Sequence, residues 1–149
     1  MRRLTMFALL LLPLAGCGLH RSNKGPRVEF VTWATPTDLP FSPAVRVGNL
    51  LFLSGQIGTG ADGNLVAGGI AAETRQAMEN IRGVLSRSGS SMDRVVKCLV
   101  MLADMQEWAA MNVVYTAYFP NAKPARSSFG ANGLALGARV EIECIAVVP

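Results

Sequence analysis

Two runs in the second half of the chain, DRVVKCLVML over 93–102 and ARVEIECIAVV over 138–148, are apolar at almost every position. Successive side chains of a strand point to opposite faces, so a strand apolar throughout must be covered on both. Only two other stretches have helical periodicity, and the remaining runs read as four further strands. Two helices sit naturally on one face of a six-stranded sheet, an α+β layer architecture. A partner chain must then cover the other face, and oligomerisation is expected from this deficit alone.

The pattern along the chain fills in the elements. RVEFVTWAT (27–35) alternates as a first strand, and PAVRVGNLLFLSGQIG (43–58) reads as two strands joined at Gly48-Asn49. That dipeptide suits a tight hairpin. Beyond the turn GADGN, Ile70, Thr74, Ala77, Met78, Ile81, Val84 and Leu85 recur at three- and four-residue spacing, with Gly89 as a helix stop. A second helix is expected after Asp104, which with Glu107 makes an N-terminal capping pair. It aligns Trp108, Met111, Tyr115, Tyr118 and Phe119 on one stripe, read as core, and Pro120 ends it. ARSSFG (125–130) and the last apolar run complete the six strands.

The N-terminus belongs to a different class of sequence. Arg2 and Arg3 precede an apolar run from Leu4 to Leu14 and small residues before Cys17. This is a secretory pattern, too short for a bilayer span of roughly 20 residues. The tetrapeptide LAGC resembles the lipoprotein cleavage box, in which the cysteine is acylated. Residues 1–16 are therefore read as signal, 17–27 as lipidated Cys17 and polar tether, and 28–149 as the domain. Loss of Arg2 and Arg3 takes the formal charge from +4 to +2, which leaves no strong nucleic-acid footprint. Export to the envelope, facing the periplasm, is expected, with the outer membrane preferred because Gly18 is not aspartate. His20, the only histidine, falls in the tether, so the domain has no histidine for a triad or metal cluster. Cys98 and Cys144 lie in apolar runs and are expected as free, buried thiols, although export would permit a disulfide.

Charges on half-buried strands need a partner, and Arg126, Glu141 and Glu143 are such charges. A structural ion pair is one reading; a site holding an anionic substrate and a water is the other. The residues alone leave both open.

Several motifs, in order and spacing, carry a resemblance across nearly all of Val28 to Val148: LPFSPAVRVGNLLFLSGQIG, ETRQAMENIRGVL, VVKCLVMLADM, MNVVYTAYFP and PARSSF…GARVEIECIAV. Together they resemble the RidA (YjgF) family of reactive-intermediate imine and enamine deaminases. The resemblance implies a chorismate-mutase-like α+β subunit, a homotrimer, and three sites in the clefts between subunits. It places the substrate-anchoring arginine on Arg126 and the water-positioning glutamate on Glu141. Ser54, Gly55 and Asn112 match further substrate-site positions, and Glu143 is left structural. Phe41 stands where many members have tyrosine, and Ser128 where many have cysteine. Phe41 can shape a pocket but cannot donate a proton. The implied reaction converts 2-imino or enamine acids to 2-keto acids and ammonia, with no cofactor or metal, and a broad 2-imino acid range is expected. Two other functions are weighed: a non-catalytic small-carboxylate-binding envelope lipoprotein, and an endoribonuclease, against which the small charge, export and lack of histidine argue.

Overall fold

The computed structural model describes residues 25–32 and 39–149. The expected signal, Cys17 and nearly all of the tether lie outside the described residues. Seven strands and two helices follow in the order β1 (Val28–Phe30), β2 (Ala44–Val47), β3 (Leu50–Leu53), β4 (Gln56–Ile57), α1 (Gly69–Arg87), β5 (Val95–Leu102), α2 (Trp108–Ala117), β6 (Ala125–Gly130) and β7 (Val140–Val147). They form one sheet, ordered β1-β2-β3-β7-β5-β6, with β4 also paired to β7. Only the β5–β6 pair is parallel, and α2 supplies the crossover such a pair requires.

Local chemistry explains the turns. Val47 pairs with Leu50 across Gly48-Asn49, and Gly48 has the positive φ of 61° that a two-residue hairpin favours. Helix α1 ends in a Schellman arrangement: Gly89 is left-handed at φ 76°, and Ser90 N donates to Leu85 O at 2.9 Å. The expected apolar stripe of α1 is buried from Thr74 to Leu85.

Both helices cover one face of the sheet. Met78, Ile81 and Leu85 of α1 and Met111 and Tyr115 of α2 share a core with Cys98, Val100, Leu102, Val140, Ile142, Cys144 and Ala146. The opposite face remains open. Phe30, Val45, Phe52, Ile145 and Lys97 are successive register partners across it. Phe30 is 68% exposed and Phe129, at the far edge, 46%. The expected shortage of cover is thus real within one chain.

Four expectations change. The third strand does not run on through Ile57: Phe52 pairs with Ile145 and Gln56 with Ile142, so one extra residue is inserted at Ser54-Gly55 and β4 begins beyond this bulge. Cys98 and Cys144 are not free thiols. They are direct partners in the antiparallel β5–β7 pair, facing the helices with Cα atoms 4.1 Å apart, and form a disulfide. Asp104 caps through Gln106 N at 2.8 Å, but it caps a 3₁₀ turn, Met105–Glu107, and Glu107 turns its carboxylate to Arg139 at 2.6 Å rather than back to the cap. Trp108 begins α2 and is 43% exposed, so the aromatic stripe is core only from Met111 onward.

Candidate active site

Arg126 lies on β6 opposite Cys98, and Ser128 opposite Val100, so both point toward the helix side of the sheet. There the guanidinium carbon stands 4.6 Å from the Tyr115 ring centroid and 6.0 Å from that of Trp108. Stacking on ring faces holds the cation without consuming its N–H donors. Among the described residues no carboxylate pairs with Arg126. A cavity of about 470 Å³ opens beside it, lined by Asn112, Tyr115, Thr116, Lys123, Pro124 and Arg126. Asn112 Oδ1, the Tyr115 hydroxyl and Ser128 Oγ are buried and lack a hydrogen-bond partner. Buried polar atoms are almost always bonded; beside a guanidinium with no carboxylate partner, the Tyr115 hydroxyl can donate to an anion and Asn112 Oδ1 can accept from an N–H of the same ligand, while Ser128 Oγ lies two residues along the strand from Arg126. Burial pushes the Tyr115 hydroxyl up to about 12, against a smaller opposing pull from Arg126, so it stays a neutral donor at physiological pH.

Glu141 occupies the other face. It sits opposite Met101 on β5 and Ile57 on β4, where the bulge brings the backbone of Gly55 against it. A Cβ on Gly55 would overlap the carboxylate and stand 2.8 Å from Glu141 Cδ, so any larger residue there would force the Glu141 side chain out of this position. Gln56 pins the bulge, donating from Nε2 to the carbonyls of Ser54 and Gly55 at 3.1 and 3.0 Å. Ser54 Oγ donates to Ser42 O at 2.7 Å and so ties down the loop that carries Phe41. Phe41, Phe52, Ser54, Gly55, Glu141 and Glu143 are among the residues around a cleft of about 400 Å³. Position alone offers Glu143 the same cleft, yet the Gly55 contact is made by Glu141.

Within one chain Arg126 and Glu141 therefore stand on opposite faces of the sheet, each beside a separate cavity. Within that one chain the two do not form an ion pair. The site residues instead fall into two sets: Arg126, Ser128 and Asn112 on the helix side, and Phe41, Ser54, Gly55 and Glu141 on the open face.

Sequence reasoning missed a buried carboxylate. Glu73 is 5% exposed and accepts from the backbone N–H of Arg139 at 2.8 Å, fixing the entry to β7 two residues before Glu141. Arg139 in turn reaches Glu107. The signal was present: Glu73 lies three residues after Ile70 and four before Ala77, on the apolar stripe where a carboxylate needs a partner.

Comparison with known proteins places this geometry. Residues 33–148 match the family described as Endoribonuclease L-PSP. The chain is 48% identical over 106 residues to Protein HMF1 of Saccharomyces cerevisiae, covering 71% of this chain and 82% of that protein. It is 41% identical over 109 residues to the 2-iminobutanoate/2-iminopropanoate deaminase of Mus musculus, covering 72% and 81% respectively. The crystal structure of yeast Mmf1 superposes with a TM-score of 0.77 at 37% identity, covering 83% of this chain and all of that one. With the fold, the motif order and these relatives in agreement, the chain belongs to the RidA/YjgF (L-PSP) family, whose curated members include imine deaminases.

Proposed function

We propose that this chain hydrolyses 2-imino acids to 2-oxo acids and ammonia, at sites completed between subunits of a homotrimer. The carrying observation is the division of the site: an anion-binding half around Arg126 and a carboxylate half around Glu141, on opposite faces of one sheet. Contact between the open face of one subunit and the Arg126 edge of the next would unite the halves and cover Phe30, Phe52 and Phe129. Such a large apolar face is the kind that association buries.

The balanced reaction is R–C(=NH₂⁺)–COO⁻ + H₂O → R–CO–COO⁻ + NH₄⁺. Arg126 holds the substrate carboxylate through two parallel hydrogen bonds, its guanidinium supported by the Tyr115 ring 4.6 Å away. Asn112 Oδ1 accepts an iminium N–H. Glu141 takes a proton from water as the oxygen adds to the imine carbon and the C=N electron pair moves to nitrogen. It then returns that proton to the nitrogen of the carbinolamine; as the C–N bond breaks and the C=O forms, Glu141, again a carboxylate, takes the hydroxyl proton and passes it to the departing ammonia, which leaves as NH₄⁺. Positioned acid–base help of this kind contributes roughly 10²- to 10⁴-fold, and orientation supplies more.

Location is part of the proposal. The LAGC box supports export and a lipid anchor at Cys17, and the Cys98–Cys144 disulfide is at home in an oxidising compartment.

The test measures ammonia release from freshly generated 2-iminobutanoate alongside 2-oxobutanoate affinity. Glu141→Gln should cut turnover at least a hundredfold while retaining oxo-acid affinity, and Arg126→Lys should weaken both. Oxo-acid binding without ammonia release by the unmodified protein would make it a carboxylate binder and end the deaminase reading.

A further inference from the structure

The cavity beside Arg126 holds a second cation that the reaction above does not use. Lys123 lines the same space, three residues before Arg126. Among the described residues it too forms no ion pair. Among the described residues of one chain no aspartate or glutamate lines that cavity, so two cations face it, and the partner subunit's Glu141, which the proposed assembly brings in, offsets one of them. Its volume, about 470 Å³, exceeds what a three- or four-carbon acid fills. Pro124, whose φ is fixed, separates Lys123 from the strand that carries Arg126. The two cations thus flank one cavity from nearby positions of the chain, Arg126 over the Tyr115 ring and Lys123 exposed at its border.

We infer that the preferred substrates are 2-imino acids with a second carboxylate on the side chain, the α-carboxylate on Arg126 and the distal one on Lys123. This rests on the reading of Arg126 as the carboxylate anchor. The division of labour follows the chemistry of the two side chains. A planar, stacked guanidinium suits the group whose orientation must be fixed for water attack, whereas a flexible ammonium suits a distal carboxylate whose position varies with chain length. Both cations attract a doubly charged acid, and salt weakens that attraction.

Calorimetric titration of the full protein with 2-oxobutanoate and 2-oxoglutarate, the product-type mono- and diacid, provides the test, together with ammonia release from the corresponding imines. Binding of the diacid about tenfold tighter than the monoacid, with a steeper salt dependence, is the expected result. Lys123→Met should lower diacid affinity about tenfold more than monoacid affinity, and Lys123→Arg should largely restore the preference. Equal affinities in the unmodified protein, or equal losses for both acids in Lys123→Met, would overturn the inference. So would a lowered melting temperature or altered oligomer mass in Lys123→Met without a change in the diacid-to-monoacid ratio, which would make Lys123 an interface residue. Turnover of the monoimine with no diacid preference sinks this inference alone; absence of binding and turnover with both acids sinks the deaminase reading as well.

Discussion

If Arg126 and Glu141 meet only across a subunit boundary, two inactive variants should repair each other. Arg126→Ala leaves a chain with an intact Glu141 half, and Glu141→Ala leaves one with an intact Arg126 half. In a cyclic assembly each site draws one half from each of two neighbours. After equal mixing and random reassembly, a site receives a good Arg126 half with probability one half and a good Glu141 half with the same probability, so about one quarter of sites are native. Activity should therefore recover to about a quarter of the unmodified value, and follow the product of the two chain fractions as the ratio varies. The geometry leaves no intermediate result, since the β-sheet stands between the two side chains of any single chain. The assay is ammonia release after co-refolding, with native mass spectrometry verifying mixed oligomers. Mixed oligomers with no more activity than the separate variants would refute the shared site.

Other consequences can be measured on single chains. Gly55→Ala should displace the Glu141 carboxylate and reduce turnover on the order of a hundredfold, with a much smaller effect on oxo-acid affinity because the Arg126 half is untouched; unchanged turnover would remove Glu141 from the chemistry. Cys98 and Cys144 should not react with thiol reagents until the protein is unfolded and reduced. Replacing both by alanine should cost about 4 kcal/mol in the chain-entropy picture, given their separation of 46 residues; full reactivity of both thiols in the untreated protein would contradict the bridge. Tyr115 should make stability fall in alkali: its pKa rises from 10.0 unfolded to about 12 folded, so the contribution is complete below pH 10 and disappears as pH climbs toward 12. Tyr115→Phe should flatten that part of the stability profile, and an unaltered profile would argue against it. Cys17→Ala should release the protein from membranes or block its maturation, whereas unchanged fractionation and mass would dismiss the anchor.

What the sequence could determine was whatever depends on near neighbours in the chain. The stripe from Thr74 to Leu85, the Gly89 stop and the Gly48-Asn49 hairpin follow from residues within a few positions of one another, and all stand in the structure. The unmet need for a second cover was legible too, because it compares an amount of apolar strand with a number of helices. Arg126 and Glu141 stood out as charges on half-buried strands, but their roles, and the choice of Gly55 and Asn112, came through motif resemblance. Tertiary structure decided how those residues are disposed, for register is a relation between segments far apart in sequence. The β5–β6 register turns Arg126 toward the helices, and the β5–β7 register turns Glu141 away from them and sets Cys98 against Cys144. A one-residue slip would have reversed each of these. The bulge at Ser54-Gly55 could not be read from LLFLSGQI, since an extra residue is defined only against the partner strand. Glu107 fits a capping pattern on paper, yet Arg139, 32 residues further on, offers its carboxylate a charged partner that the local pattern does not contain.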